Sequence, residues 1–269
     1  MVIKGMSENF HDAAVAIMHD DKLMFASSSE RFSRIKNDRR ICDELRKIPC
    51  DTHIFYEGWR LKNQRRQTYG PREVHYFEDV ECVLHHESHM AAAYYTAPFV
   101  PDVTVVIDAI GEYDTASIWV NHEKVWSKQY PWSLGLFYSA ITKRCGLKPN
   151  EDEYITMGMA AFGKPSIDMT GILDEYLHTG IPLKKWFWNK PVDIAASAQM
   201  FIEYEIEQIF LEARKYGNKV AYGGGVALNC VANSKIAPLF DKMWIFPNPG
   251  DAGSALGCIL AKTKKRLKY

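Results

Sequence analysis

Two histidines with helical spacing carry the clearest chemical signal in the chain. The stretch from His85 to Tyr94 reads His-His-Glu-Ser-His-Met-Ala-Ala-Ala-Tyr, so a helix there sets His85 and His89 one turn apart on one face. Two imidazoles need at least one further donor to hold a metal, and Asp251, which opens the last predicted helix, is the best candidate. Paired histidines on a helix are more often capping, solvated or core residues, so the pair alone leaves both interpretations open.

A glycine-rich turn supplies a second signal. Residues 222–230 read Tyr-Gly-Gly-Gly-Val-Ala-Leu-Asn-Cys and follow the run 219–221, so the glycines fall where a strand turns into a helix. Such a turn presents backbone N–H groups at a positive helix end, which favours phosphate or nucleotide ligands. A tight packing turn explains the same residues equally well.

An internal repeat predicts the architecture. Residues 11–24 align with residues 113–126, and both segments are typical of a strand, a polar turn and a second strand. The alignment pairs three identical residues: Asp12 with Asp114, Ala14 with Ala116 and Lys22 with Lys124. Duplicated hairpin lobes predict an α/β protein with the two-lobed actin-like ATPase (ASKHA) fold, in which nucleotide lies between the halves. Chance similarity between short hairpins is the alternative.

Composition narrows the class of protein. The chain has 269 residues, 47% of them hydrophobic, which is enough for a two-lobed globule with a sizeable core. Lys plus Arg equals Asp plus Glu at 33 each, so overall charge does not favour nucleic acid or membrane as an obligate partner. The chain has six cysteines but no C-x-x-C pair, and it shows neither a signal-peptide core nor a long apolar run. These features predict a soluble, cytoplasmic protein.

The remaining pattern predicts where the elements lie. We expect strands at 52–56 and 103–108, and helices at 39–47, 134–146, 153–163 and 193–215. The basic segment 60–72 lacks periodicity and is interpreted as an exposed loop, which serves either solubility or contact with an anionic substrate or partner. The predicted lobes are residues 1–100 and 101–269.

Taken together, these segments resemble the O-carbamoyltransferase family of nodulation-factor and antibiotic biosynthesis. They resemble more distantly the enzyme that installs threonylcarbamoyl on tRNA adenosine. The motifs that carry the resemblance occur in the family's order along nearly the whole chain: His11-Asp12-Ala13-Ala14, Glu30-Arg31-Phe32 with Lys36, His85-His86-x-x-His89, Asp108-x-x-Gly111-Glu112, Leu134-Gly135-x-Phe137-Tyr138, Glu153-Tyr154-x-x-Met157-Gly158, Gly224-Gly225-Val226-Ala227-Leu228-Asn229 and Gly250-Asp251-Ala252-Gly253.

The resemblance implies cofactors and their ligands. It implies an actin-like ATPase domain that binds a nucleotide and a divalent metal, most often Fe²⁺, with Zn²⁺ and Mg²⁺ as alternatives. His85, His89 and Asp251 match the family's metal ligands. The nucleotide would be ATP or carbamoyl adenylate, and the residues that would hold its adenosine side are Gly224, Gly225 and Asn229.

The resemblance also implies a reaction. A carbamoyl group would move from carbamoyl adenylate, derived from carbamoyl phosphate and ATP, to an acceptor hydroxyl. Gly111 and Glu112 would lie beside the phosphate, with Lys36 supplying positive charge. Neutral imidazole is the usual base near pH 7, so His11 is the candidate base, positioned by Asp12. A histidine that merely caps the hairpin is the alternative for His11.

Two departures from the family pattern shape the functional prediction. The chain stops before the family's domain that makes carbamoyl adenylate, so we expect a separate synthase to supply this donor. Ile155 follows Glu153-Tyr154 where Lys is usual, so the acceptor is left open between a sugar-like small molecule and a hydroxymethylated nucleobase. Alternatives are a non-catalytic nucleotide-binding subunit that scaffolds a partner and a tRNA threonylcarbamoyl transferase-like enzyme. A tRNA-modifying enzyme is expected to be more basic than this chain, in which Lys plus Arg equals Asp plus Glu.

Overall fold

The chain forms two mixed five-stranded sheets with the same strand order. The computed structural model describes residues 1–9, 11–68, 81–175, 177 and 180–267. The first sheet has the order β3-β2-β1-β4-β5. Its strands are β1 (Val2–Ser7), β2 (Ala14–His19), β3 (Lys22–Ser28), β4 (Thr52–Tyr56) and β5 (Cys82–Val83). The second sheet has the order β10-β9-β6-β7-β8. Its strands are β6 (Val103–Ile107), β7 (Asp114–Val120), β8 (Glu123–Gln129), β9 (Lys219–Gly223) and β10 (Lys242–Ile245).

The two sheets repeat one topology. In each sheet the first three strands form an antiparallel meander, and the two later strands lie parallel to the first. The repeat predicted from residues 11–24 and 113–126 therefore corresponds to the hairpins β2–β3 and β7–β8. Both central strands β1 and β6 are almost wholly buried, because helices or loops cover the two faces of each sheet.

Nine α-helices connect and cover these strands within the described residues. They are α1 (Glu30–Ser33), α2 (Asp43–Arg46), α3 (Trp59–Thr68), α4 (His85–Thr96), α5 (Leu134–Arg144), α6 (Glu153–Ala160), α7 (Pro191–Arg214), α8 (Cys230–Ile236) and α9 (Ser254–Thr263). The helices predicted at 134–146, 153–163 and 193–215 are confirmed, with their ends shifted by one to three residues. Pro191 begins α7, where its missing N–H costs no hydrogen bond.

Helix α4 lies between the lobes and is closely approached from two sides. A Cβ atom built on Gly257 of α9 would come 2.1 Å from the carbonyl oxygen of Ser88. A Cβ atom on Gly223, at the end of β9, would come 2.9 Å from the carbonyl oxygen of His89. Only glycine permits these backbone approaches, so α4 is fixed against both β9 and α9.

Two predicted segments differ in the structure. The helix predicted at 39–47 begins only at Asp43, because a side-chain oxygen of Asp38 accepts from the Arg40 N–H and holds a turn there. The prediction of an exposed loop at 60–72 was wrong for residues 60–68, which belong to α3. Lys62 and Arg65 are buried on that helix, which the simple periodicity of apolar residues could not reveal. Residues 69–72 lie outside the described part of the chain.

The last helix bears on the predicted lobes. Although α9 follows the second sheet in sequence, its buried residues pack with Ile3, Ala14 and Ile54 of the first sheet. The division at residue 100 stays a prediction, and it separates α9 from the first sheet, on which α9 packs. Within the described residues, no helix is both long and apolar enough to cross a membrane.

Candidate active site

Four buried side chains converge where the two lobes meet. One ligand atom from each of His85, His89, Asp108 and Asp251 lies within 4.8 Å of all the others. His85 and His89 lie in the first two turns of α4, Asp108 follows β6, and Asp251 opens the short 3-10 turn before α9. The close approaches that fix α4 therefore also fix the two imidazoles against the carboxylates. The structure brings together the three predicted metal ligands and adds Asp108.

The imidazoles are oriented as metal ligands usually are. Nδ1 of His85 lies 2.9 Å from Oε1 of Glu57, and Nδ1 of His89 lies 3.1 Å from the Ser254 hydroxyl. Their Nε2 atoms face the carboxylates, with His85 Nε2 2.6 Å from Asp108 and His89 Nε2 3.3 Å from Asp251. An outer hydrogen bond on one ring nitrogen fixes the ring and leaves the other nitrogen for a metal. Two nitrogen and two oxygen donors therefore fit a divalent cation such as Fe²⁺ or Zn²⁺.

The histidines and carboxylates of the cluster shift each other's pKa values in opposite directions. Burial lowers the pKa of His85, but hydrogen bonds with Asp108 and Glu57 and the charge of Asp251 outweigh it and raise this pKa to about 10. Burial and the neighbouring Asp108 raise the pKa of Asp251, but His89, His11 and His85 outweigh them and lower it to about 2. By itself the cluster therefore pairs imidazolium cations with carboxylates, and a metal would displace protons from it.

A buried ion pair contacts the cluster through His85. Lys62 of α3 pairs with Glu57, and their side chains are 6% and 1% exposed. Burial raises the pKa of Glu57, but Lys62 and His85 outweigh it and lower this pKa. Tyr56 donates a hydrogen bond to Asp251 at 2.8 Å. The sequence did not single out Tyr56, Glu57 or Lys62. It gave Asp108 only as part of a family motif, although an acid that ends an apolar strand could have indicated a residue at the cleft.

His11 lies at the edge of the cluster. Its Nδ1 atom is 2.8 Å from Asp12 and its Nε2 atom is 3.5 Å from Asp251. Burial lowers the pKa of His11, but the hydrogen bond with Asp12 and the charges of Asp251 and Asp108 outweigh it and raise this pKa to about 9. Because a carboxylate only accepts, Nδ1 carries a proton and Nε2 is the atom that exchanges protons with a neighbour.

The glycine turn packs against protein at Gly224 and lines a cavity at Gly225. Gly225 and Asn229 line a cavity beside the cluster, whereas Gly224 is outside its lining. A Cβ atom on Gly224, whose φ is +92°, would come 2.3 Å from the Ile107 carbonyl oxygen, so this glycine is a packing residue. The Gly224 and Gly225 N–H groups donate to the Pro249 carbonyl and to Asp108, so they bind protein rather than point at a ligand.

Gly111 and Glu112 contact the start of α4, and Lys36 pairs with a carboxylate. Glu112 accepts from the His85 backbone N–H at 3.1 Å and so caps α4. A Cβ on Gly111 would come 2.9 Å from the His85 Cβ, so Gly111 makes room for this ligand. Lys36 pairs with Glu151 at 3.0 Å and is not the counter-ion of Glu112 among the described contacts. The first two residues therefore position α4, and their direct contact with phosphate stays a prediction.

Two cavities meet at the cluster. The first, the apolar cavity, has a volume of about 290 Å³. Its walls include the apolar side chains of Met157, Ile202, Val226 and Leu228, with Tyr138 and Asn229. The second, the cationic cavity, has a volume of about 360 Å³ and is lined by Lys62, Arg65, Arg66 and Lys143. Both cavities share six lining residues: His11, Asp108, Ala109, Ser139, Asn150 and Asp251.

A family model identifies the family of this chain. The model described as the carbamoyltransferase N-terminus matches residues 63–185 and 180–260. The chain belongs to the carbamoyltransferase family. The resemblance predicted from the ordered motifs is thereby confirmed.

Individual relatives agree with this membership. The uncharacterized protein sll1178 of Synechocystis sp. is 29% identical over 356 residues, covering 96% of this chain and 56% of the relative. Nodulation protein NolO of Bradyrhizobium diazoefficiens is 28% identical over 211 residues, covering 65% of this chain and 37% of NolO. The chain thus spans about half the length of these curated relatives, or less.

A solved structure shows the same fold. The activator of 2-hydroxyisocaproyl-CoA dehydratase from Clostridium difficile with bound ADPNP has a TM-score of 0.63 and 12% identity, covering 98% of this chain and 97% of the activator. Together with the two matching sheets, this likeness confirms the predicted two-lobed actin-like ATPase fold.

Proposed function

We propose that this carbamoyltransferase-family chain transfers a carbamoyl group from carbamoyl adenylate to an acceptor hydroxyl, with a divalent metal on the four-residue cluster. The observation that carries the proposal is the position of the cluster. His11, Asp108 and Asp251 line both cavities, so a donor in one cavity and an acceptor in the other would meet there.

The apolar cavity suits the adenosine side of the donor. It offers apolar side chains for a base and a polar end at Asn229, whose amide exchanges hydrogen bonds with Gln199 at 3.0 and 3.1 Å. Tyr138 also donates to Gln199 at 2.6 Å, so this end of the cavity is rigid. A bound divalent cation would neutralise negative charge on the adenylate phosphate. The predicted adenosine role is thus retained for Gly225 and Asn229 as lining residues.

His11 is the proposed base for the acceptor. The acceptor oxygen forms a bond to the carbamoyl carbon, the bond from that carbon to the phosphate oxygen breaks, and AMP leaves with the electron pair. The acceptor proton goes to Nε2 of His11, whose Nδ1 proton is held by Asp12. This role requires neutral His11. A metal bound to Asp251, 3.5 Å from His11, would offset the carboxylate charge and so lower the pKa of His11 from about 9.

The donor is proposed to come from a separate catalytic centre. Purified chain mixed with carbamoyl phosphate and ATP is expected to form no carbamoyl adenylate, and addition of a separate carbamoyl-adenylate synthase is expected to allow transfer. Adenylate formation by the chain unaided would contradict this partnership.

The decisive experiment is a transfer assay with that synthase, added Fe²⁺ or Zn²⁺ and a panel of acceptors. The panel holds free sugars, sugar phosphates, hydroxymethylated nucleotides, hydroxymethylated DNA and tRNA, and the readout is a mass gain of one carbamoyl group. The variant His11→Ala is expected to bind AMP like the parent but to lose transfer, whereas His19→Ala, on an exposed strand end, keeps both. Absence of transfer to every acceptor, with metal and AMP still bound, would favour the non-catalytic scaffold. In a parallel assay with threonylcarbamoyl adenylate, a threonylcarbamoyl mass gain on tRNA would favour the tRNA-modifying alternative.

A further inference from the structure

The cationic cavity has a charge pattern unlike that of its neighbour. Helix α3 contributes Lys62, Arg65 and Arg66, and α5 contributes Lys143. The apolar cavity, on the other side of the cluster, has none of these four side chains in its lining. Residues 60–68 of the basic segment, for which contact with an anion was one of two expected roles, therefore belong to a helix that faces the candidate active site.

The carboxylates of this cavity belong to the cluster or to its support. Among the described residues its acidic lining is Glu57, Asp108 and Asp251. Glu57 is paired with Lys62 and lies against His85. Asp108 and Asp251 are two of the candidate metal ligands. Arg65, Arg66 and Lys143 line the same cavity and are called the cationic wall, and a divalent metal on the cluster would add positive charge beside them.

The cationic wall is built into the fold. Arg65 is buried, and the Arg66 guanidinium lies 5.6 Å from the centre of the Trp59 ring. Gly180, which also lines the cavity, has a φ of +82°, and a Cβ there would come 3.0 Å from Cδ of Lys143. The missing side chain of Gly180 leaves room for the Lys143 stem. Helix packing, a ring and a glycine thus hold three cations on one cavity.

We propose that the cationic cavity is the acceptor site and that it selects an acceptor alcohol carrying a phosphate group. The role of this cavity as the acceptor site rests on the proposed function, but its preference for phosphate does not. A volume of about 360 Å³ suits a mononucleotide or a sugar phosphate. Two guanidinium groups and an ammonium group match a phosphate, because the planar guanidinium forms two parallel hydrogen bonds to its oxygens. His11 faces the same cavity and would meet the acceptor hydroxyl.

The test compares matched probes by isothermal titration calorimetry on the whole chain with saturating AMP. The pairs are 5-hydroxymethyl-dCMP with its unphosphorylated nucleoside, and glucose 6-phosphate with glucose. Glucuronate tests whether any anion suffices. In at least one pair the phosphorylated probe is expected to bind about tenfold more tightly or better, and which pair does so tells a nucleotide from a sugar phosphate.

Substitutions locate the binding site. The double variant Arg66→Gln/Lys143→Gln is expected to weaken phosphorylated-probe binding about tenfold or more and to leave AMP binding unchanged. Arg60→Gln is the matched control, because Arg60 is exposed on the same helix and does not line the cavity. Circular dichroism and AMP affinity show that each variant is folded.

Four results would overturn the proposal: equal binding within both pairs, binding of glucuronate as tight as that of the phosphates, parent-like binding by the double variant, or competition between AMP and the phosphorylated probe. The last result would assign the cations to the donor's own phosphate. Phosphate-selective binding by a protein that carbamoylates nothing would overturn the acceptor assignment together with the proposed function, while equal binding with active transfer would overturn the phosphate preference alone.

Discussion

At the scale of single residues, the candidate site is a set of imidazoles and carboxylates whose protons a metal must displace. His85 and His89 both have pKa values raised by the carboxylates around them, although burial acts in the opposite direction. Their Nδ1 atoms are held by Glu57 and Ser254, so each ring offers the nitrogen that faces the cluster. Metal affinity and protonation are therefore coupled through the same four donors.

This coupling predicts proton release on metal binding. The pKa of His85 is raised from 6.5 to about 10, so near pH 7.5 the imidazole must lose a proton before it binds a metal. Affinity for Zn²⁺ is expected to rise with pH between about 6.5 and about 10. Calorimetry in two buffers with different ionisation enthalpies measures the protons released. Zinc binding without proton release would contradict the protonated imidazole.

The same shift has a consequence for folding. A histidine whose pKa is higher in the folded chain stabilises it fully below the unfolded value of 6.5, and this contribution is lost as pH rises through about 10. Unfolding of the chain without added metal should therefore become easier between these two pH values, and added metal should oppose this loss.

Asp108 is predicted to be a metal ligand although its role was not anticipated. Asp108→Asn keeps the shape of the side chain and removes its charge, so it is expected to weaken metal binding by at least the factor of about 10 to 100 that loss of an outer hydrogen-bond partner costs. Zinc titration against a chelating indicator measures the change. The control is Asp21→Asn, whose side chain is 67% exposed at a hairpin tip. Equal zinc affinity in Asp108→Asn and the parent would leave the original three ligands as the metal site.

At the scale of elements, α3 and α4 position the site together. Helix α4 carries both imidazoles and is capped at its first residue by Glu112. Helix α3 supplies Lys62, which keeps Glu57 ionised beside His85. Both partners of this pair are buried, so removing Lys62 takes away a large part of the charge that compensates Glu57 and leaves His85 to compensate the rest.

Lys62→Met is therefore expected to destabilise the chain by about 3–5 kcal/mol. The double variant Glu57→Gln/Lys62→Met removes both charges and is expected to recover most of this loss. Guanidinium unfolding followed by circular dichroism measures both. Arg60→Met, on the exposed side of the same helix, is expected to change stability by no more than about 0.5 kcal/mol. Equal stability of Lys62→Met and Arg60→Met would show that the ion pair is unimportant for folding.

At the scale of the whole molecule, two copies of one sheet topology enclose the site. One strand of each sheet ends at the cleft: β4 is followed by Glu57, and β6 is followed by Asp108. The last helix then returns to the first sheet and brings Asp251 to the same place. The site thus depends on both lobes, and a ligand between them should stabilise their joint folding.

AMP is predicted to stabilise the folded chain by binding in the apolar cavity. At a concentration 100 times its dissociation constant, a ligand raises the free energy of unfolding by about 2.7 kcal/mol. Ser139→Trp is expected to abolish this gain, because Ser139 lines both cavities and the indole would fill the space between them. Ser127→Trp, on the edge strand β8, is the matched control. Thermal unfolding with and without AMP measures both, and an undiminished shift in Ser139→Trp would place the nucleotide elsewhere.

The sequence determined the features that depend on near neighbours in the chain. The spacing of His85 and His89, the glycine turn after β9 and the two similar hairpins are all local patterns. Local patterns are readable because helix and strand periodicity relates residues only a few positions apart. Together with the ordered family motifs, they predicted the two-lobed fold and three of the four residues in the cluster.

Only the tertiary structure decided which distant residues share the site. Tyr56 and Asp251 are 195 positions apart and are joined by a hydrogen bond. Lys62 belongs to a segment that looked like a solvated loop, and its buried partner Glu57 carries no pattern of its own. Lys36 was predicted to supply positive charge beside Glu112, but in the fold Lys36 pairs with Glu151 and Glu112 accepts from the His85 N–H. Such pairings depend on how the two sheets pack around α4, and periodicity along the chain does not encode that arrangement.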